Sequence, residues 1–224
     1  MITTKLPILS EDITPIPSDR QKIKSAIASL QNRYSTIVKT ICALMGMSDF
    51  EWLVWSVMYK ENGTGNASFV KSTGATGLMQ VTPETASDCI IRENQKKRLT
   101  QAEKDFLSKK IGETRVKSIA KRKQLGNPIL ITQADLKDPE INVFFGVLYL
   151  GQLVDECTEN GELRLDFLCT RYLRYYSRPK GANAEQVIAW VNGQESWSKS
   201  QRSENIGYIK ALGGKNGIAT LVTT

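Results

Sequence analysis

The clearest periodic signal in the chain is a stripe of apolar residues spaced by three and four: Ile23, Ile27, Leu30, Tyr34, Ile37, Ile41 and Leu44. Such spacing lines one face of a helix. Ser18 and Gln21 precede the stripe in a capping-box pattern, S-x-x-Q, and Gly46 stops it. A second such pattern, Ser48 to Glu51, opens DFEWLVWSVMYK, whose residues are apolar on nearly all sides. This predicts a central, buried helix. It runs out at Lys60-Glu61-Asn62-Gly63, so Glu61 sits where a buried helix meets a glycine-rich loop. That loop, residues 62–77, has four glycines and no acidic side chain, with room for a short β-hairpin.

Further along, Thr82 followed by Pro83 reads as an N-cap with proline at the first helical position. Thr100 and Glu103 form another capping box. Asp138-Pro139 opens INVFFGVLYLGQLVDEC, apolar enough to be a second central helix. Residues 162–176, 184–191 and the stretch from Ser203 onward predict three more helices. Residues 1–17 hold three prolines and little periodicity, and predict a flexible N-terminal arm. The pattern implies a mainly α (α+β) fold, one domain over residues 18–224, with a small β or loop-rich wall lining a cleft.

Charge is unevenly spread. The chain carries +7 at neutral pH, yet residues 92–123 alone hold twelve Lys or Arg against four Asp or Glu. A basic stretch suits phosphate contacts, which makes a nucleic-acid or polyanion binder one reading. The segment has a single aromatic, Phe106, and no recognisable nucleic-acid module. Attraction to an anionic cell wall is a second reading, and a solvated helix face a third.

Composition narrows the chemistry further. There is no histidine, which removes Ser-His-Asp and Cys-His nucleophiles and His-ligated zinc. A carboxylate is left as the natural proton-transfer group. Cys42, Cys89, Cys157 and Cys169 are far apart and make no C-x-x-C pair, so buried free thiols and a reducing folding compartment are expected, with no metal and no cofactor. No apolar run is long enough to span a membrane, and the N-terminus lacks the basic and apolar regions of a secretory signal.

Glu61 is the candidate for chemistry. Protonating a poor leaving group requires an acid that keeps its proton near neutral pH, and apolar surroundings favour that form. Trp52, Val54, Trp55, Val57, Met58 and Tyr59 precede it. The run Ser72-x-Gly74-Ala75-x-Gly77-Leu78-Met79-Gln80-Val81-x-Pro83-x-Thr85-Ala86 behind Glu61 resembles the core signature of soluble lytic transglycosylases, which share the goose-type lysozyme fold. Asn142-x-x-x-Gly146-x-x-Tyr149-Leu150 and Ser203-Glu204-x-x-Gly207-Tyr208-Ile209 are similar to two further motifs of that family. The matches cover roughly residues 45–90 and 138–212, leaving about 92–137 as a basic insertion.

The resemblance implies a lysozyme-like fold and cleavage of the β-1,4 bond between MurNAc and GlcNAc in peptidoglycan. In such enzymes one glutamate first protonates the linking oxygen, then acts as base on the muramyl C6 hydroxyl, which closes a 1,6-anhydro ring. It casts Glu61 as sole acid/base, and Ser72, Gly77, Met79, Gln80, Tyr149, Tyr176 and Glu204 as substrate-binding residues. The chain departs from the family pattern in four places, one of them a loop from Glu61 to Ser72 about two residues longer than usual. Asn62 replaces a usual serine, Thr82 replaces a frequent methionine, and Tyr176-Ser177-Arg178-Pro179 stands for Y-N-A-G, with Tyr175 as the alternative register. Ordinary glycosidases need a second carboxylate, and none occurs in residues 62–83. A hydrolytic muramidase of the same fold, with Glu84 or Asp88 as the first candidate bases, is the alternative activity. A non-catalytic virion protein is the alternative of another class. The expected partner is a glycan strand, and the expected setting is a bacteriophage enzyme acting at the cell wall, alone or within a virion. A conjugation or secretion-system enzyme is the other setting considered.

Overall fold

The structure, a computed structural model, describes residues 3–5, 17–96, 98–121, 130–172, 208, 211–212 and 217–223. The described part is mainly helical. The chain packs as two compact units, Ser29–Gly151 in one and Met1–Ala28 with Gln152–Thr224 in the other. None of the described helices is long and apolar enough to cross a membrane.

Helix α1 spans Pro17–Leu44 and buries Ile27, Leu30, Val38 and Ile41 of the apolar face. Its end is a Schellman motif. Gly46 takes φ +66°, its N–H donates to Ala43 O at 3.3 Å, and the Met47 N–H donates to Cys42 O at 2.7 Å. Glycine enters that left-handed conformation without steric cost, which is why the helix stops there.

Within Ser29–Gly151 the next element is α2, Glu51–Asn62, buried at six consecutive positions from Leu53 to Met58. The expected Ser48 capping box does not form. Ser48–Phe50 wind as a 3-10 turn, which makes Glu51 the first residue of α2 and leaves no side-chain cap. Three other predicted starts hold. Helix α3, Pro83–Gln95, is capped by Thr82, whose Oγ1 accepts from Thr85 N at 3.1 Å. Helix α4, Gln101–Ile111, has the full capping box. Thr100 N donates to Glu103 Oε2 at 2.6 Å, and Glu103 N donates to Thr100 Oγ1 at 3.2 Å. Helix α6, Pro139–Cys157, starts at Asp138, whose Oδ1 accepts from Glu140 N at 2.8 Å and Ile141 N at 3.2 Å. Every residue from Ile141 to Leu148 is buried, so α6 is the second central helix the pattern predicts.

The basic segment supplies α4 and α5 (Glu113–Ala120), which pack on one another, and α5 packs on α3. Leu107, Ile111, Val116 and Ile119 are buried, while Lys96, Lys109, Lys117 and Lys121 stand exposed. Phe106 stacks on Phe144 of α6, with centroids 5.0 Å apart and planes 5° apart. The segment's aromatic thus has one ring face packed against α6. Arg122 and Lys123 lie outside the described residues.

The chain returns toward α6 over α3 and α5. Ser87 Oγ accepts from Leu130 N at 3.0 Å and Ile131 N at 3.1 Å. Arg115 of α5 grips Asp135 with two guanidinium nitrogens, at 3.0 and 2.7 Å, and also donates to Leu130 O at 2.7 Å. Thr132 adds its backbone N–H and hydroxyl to Asp135 Oδ2, each at 2.7 Å.

In the other unit, β1 (Thr3–Lys5) pairs in parallel with β3 (Glu162–Arg164), which pairs antiparallel with β2 (Thr158–Glu159). Residues 3–5, expected within a loose arm, are thus part of a sheet. The helix expected over 162–176 is corrected likewise. Asn160 and Gly161 take φ +53° and +78°, a two-residue hairpin turn, so residues 162–164 form a strand and α7 begins only at Leu165 and runs to Tyr172. Tyr172 stacks on Tyr208 at 6.2 Å, and a last helix, α8, covers Ile218–Thr223. The helix expected over 184–191 lies outside the described residues; from Ser203 on, Tyr208 and residues 211–212 are helical. Cys42, Cys89, Cys157 and Cys169 are all buried thiols outside any disulfide, as expected. Burial, with the nearby charge of Glu51, pushes the Cys42 thiol up to about 12.

The Arg115–Asp135 grip gives a test. Burial acts to raise the Asp135 carboxyl, but the hydrogen bonds from Arg115 and Thr132 and the guanidinium charge outweigh it and hold the group below its ordinary value. A depressed carboxyl contributes stability that is present above the unfolded-state value and lost as pH falls through the folded one. Asp135→Asn should lower stability at pH 7 by on the order of 1 kcal/mol, after allowing for the exposure of Arg115. The gap between the two proteins should narrow below about pH 4, measured by urea unfolding. Equal loss at pH 7 and pH 3 would contradict this account.

Candidate active site

Glu61 occupies the last turn of α2, and its side chain is 9% exposed. One residue later Asn62, itself buried, turns the chain. Its Nδ2 donates to Asn66 O at 2.7 Å and Gly77 O at 2.9 Å, and its Oδ1 accepts from Thr64 Oγ1 at 2.8 Å. From α1, Arg33 NH2 donates to Thr64 O at 2.9 Å and Tyr34 OH to Gly65 O at 2.8 Å. The loop behind Glu61 is therefore fastened at several backbone carbonyls, which fixes the direction in which α2 delivers the carboxylate.

The loop then forms a small antiparallel arrangement around Thr76, bridged to Val70 on one side and Val81 on the other. Lys71 N donates to Ala75 O and Gly77 N to Phe69 O, both at 2.8 Å. This matches the short hairpin the sequence allows. It also brings Lys71 back to the acid, with Nζ 2.8 Å from Glu61 Oε2. Lys71 is the one charged residue in 62–83, a signal present in the sequence that motif reading passed over. The carboxylate stands at the negative end of the α2 dipole, and the ammonium offsets that field.

Asn142 of α6 holds the other side of the loop. It is 0% exposed, donates from Nδ2 to Thr76 O at 2.8 Å and Leu136 O at 3.0 Å, and accepts at Oδ1 from Met79 N at 2.8 Å. The amide packs so close to Gly77 that a Cβ there would lie 2.4 Å from Asn142 Nδ2. Gly77 also has φ +78°. The close approach that its glycine permits is by Asn142, not by a ligand.

The other residues expected to bind substrate separate into groups. Met79 is 0% exposed, and its side chain fills the space that a Cβ on Gly146 would need, so it is a core residue locking the loop to α6 rather than a cleft contact. Gln80 is 8% exposed and has φ +46°, a strained value for a residue with a side chain. Its Nε2 donates to Gly77 O at 2.7 Å and Phe69 O at 3.4 Å. Both neighbours are carbonyls, so the amide orientation is forced, and Oε1 is buried with no partner among the described residues. Ser72 is exposed at the hairpin tip, and Tyr149 is half-buried on α6. Tyr176 and Glu204 lie outside the described residues. Among the described residues no three His, Cys, Asp or Glu side chains gather as a metal site. Comparison with protein-family models, with curated proteins and with solved structures finds no match in any of the three.

Two glycines of this loop make a controlled comparison. Gly74 has φ +83° but open space where a Cβ would go, whereas Gly77 has a similar φ and meets Asn142. Gly74→Ala should cost only backbone strain, about 1–2 kcal/mol. Gly77→Ala should cost at least roughly 2 kcal/mol more, because a buried, fully bonded amide must move. Equal losses in chemical unfolding would refute the close approach.

Proposed function

We propose that the chain is a peptidoglycan lytic transglycosylase of lysozyme-like, goose-type architecture, with Glu61 as its single acid/base. The observation that supports it most is the placing of one nearly buried carboxylate at the end of a central helix. It faces a glycine-rich loop that contributes no second carboxylate. The resemblance of that loop to the transglycosylase signature supplies the substrate class.

The chemistry follows in two steps. Protonated Glu61 gives its proton to the oxygen joining MurNAc to GlcNAc, and the bond from C1 to that oxygen breaks as oxocarbenium character develops. The carboxylate left behind takes the proton of the muramyl C6 hydroxyl, whose oxygen bonds to C1. The glutamate ends as it began, and no water is consumed. The tethered hydroxyl has a high effective concentration, so it outcompetes water that no carboxylate of this loop activates. Oε2 of Glu61 is paired with Lys71 in the free protein, so proton donation requires that pair to open and the carboxylate to take up a proton as glycan enters.

Glu61→Gln keeps the shape of the side chain but has no proton to give. It should reduce lysis of chloroform-treated Gram-negative cells by at least roughly 100-fold with an unchanged circular dichroism spectrum. Substantial lysis by the folded variant would remove Glu61 from the mechanism. Products separate transglycosylase from hydrolase. Mass spectra of digested sacculi should show ends in 1,6-anhydro-MurNAc, one water lighter than hydrolytic products. Reducing ends that take up borohydride would instead make the enzyme a muramidase and turn attention to Glu84 or Asp88 as its base.

A further inference from the structure

Among the described residues Phe69 is the one large apolar side chain that is exposed, at 44%. Single exposed hydrophobic residues are ordinary on protein surfaces. Phe69 differs in its place and in the rigidity of its backbone. Its N–H donates to Asn66 O at 3.0 Å, and its carbonyl accepts from Gly77 N at 2.8 Å and Gln80 Nε2 at 3.4 Å. The residue is thus fastened at both backbone groups while its ring is left in solvent.

Its position in the hairpin sets its direction. Val70 is the bridged residue, and the ladder bonds on either side of it belong to Phe69 and Lys71. Successive side chains of an extended segment alternate between faces, so Phe69 and Lys71 share one face and Val70 takes the other. Lys71 reaches Glu61 Oε2 from that face at 2.8 Å. An exposed ring therefore stands two residues from Lys71, the ion-pair partner of the acid.

We propose that Phe69 is the floor of a sugar subsite beside Glu61, taking the apolar C–H face of one pyranose ring of a β-1,4-linked N-acetylhexosamine chain. The electron-rich face of an aromatic ring attracts the polarised C–H groups of a pyranose, and the stacked area leaves water. Gln80 braces the backbone of the subsite from within, its amide nitrogen 3.4 Å from the Phe69 carbonyl. The inference rests on the glycan-cutting reading of Glu61 and adds to it a specific binding surface.

Calorimetric titration of the Glu61→Gln protein with the β-1,4-linked tetramer of N-acetylglucosamine tests it without turnover. Adding Phe69→Ala should weaken binding by roughly ten-fold, while adding Phe69→Tyr should hold affinity within about two-fold. Amide spectra of each variant should match the parent, since only the exposed ring changes. Unaltered affinity in the Ala variant overturns the subsite while leaving the proposed function standing. A loss that Tyr does not rescue also overturns it, because the residue would then be structural. If the Glu61→Gln parent binds no tetramer, the glycan-cutting reading and this subsite fall together.

Discussion

The loop that faces Glu61 depends on the amide of Asn142. Buried peptide groups must find partners, and a glycine-rich loop crossing the interior has no continuous neighbouring strand to supply them. Asn142 satisfies Thr76 O, Leu136 O and Met79 N with one side chain, using both its donors and its acceptor. It is the polar exception in the fully buried run from Ile141 to Leu148 of α6. Gly77 must lack a side chain because of it. The Gly77 carbonyl can then receive both Asn62 Nδ2 and Gln80 Nε2, at 2.9 and 2.7 Å. Through Asn62 the constraint reaches the residue next to the acid. Removing the amide would strand several buried backbone groups at once, at about 1–3 kcal/mol each.

Elements whose signals are local were legible in the sequence. Thr82, Thr100 and Asp138 cap helices because a side-chain oxygen within three residues decides the matter, and Gly46 ends α1 because its own φ does. The error at Ser48 shows the limit of a motif. The residue types of a capping box were present, but a 3-10 turn used them up before the helix began. Asn160-Gly161 is a strong hairpin signal that the apolar run after it masked. The parallel pairing of residues 3–5 with 162–164 was illegible, since nothing short-range in a three-residue strand reports a partner so far along the chain.

The candidate site was legible in the same uneven way. Glu61 stood out as a candidate because a helix end and a motif coincide there. Met79 was misassigned because a motif names positions without saying which way they face, and its side chain is spent on Gly146. Lys71 was passed over because its pairing with Glu61 arises only once Val70 pairs with Thr76 and the hairpin folds back on α2. The strain at Gln80, φ +46° with a buried unpaired oxygen, has no sequence signature at all. Such costs persist where surrounding structure over-determines them, and here Asn142 and Gly77 do so on one side and Phe69 on the other.

The same contacts bear on how one carboxylate could serve two steps of opposite sense. An acid that later acts as base must be able to change charge without the protein rearranging around it. The ion pair of Glu61 with Lys71 is asymmetric in a way that permits this, since the carboxylate side chain is 9% exposed and the lysine 41%. The buried partner bears most of the desolvation and is fixed by the end of α2. The exposed one sits on a flexible four-carbon stem and regains water when it lets go. In the proposed reaction Lys71 would therefore be the member that moves when a sugar oxygen takes its place at Oε2, and the member that returns when the carboxylate is charged again. A second fixed carboxylate would have competed for that cation, whereas a loop whose only charge is Lys71 leaves the exchange to a single pair.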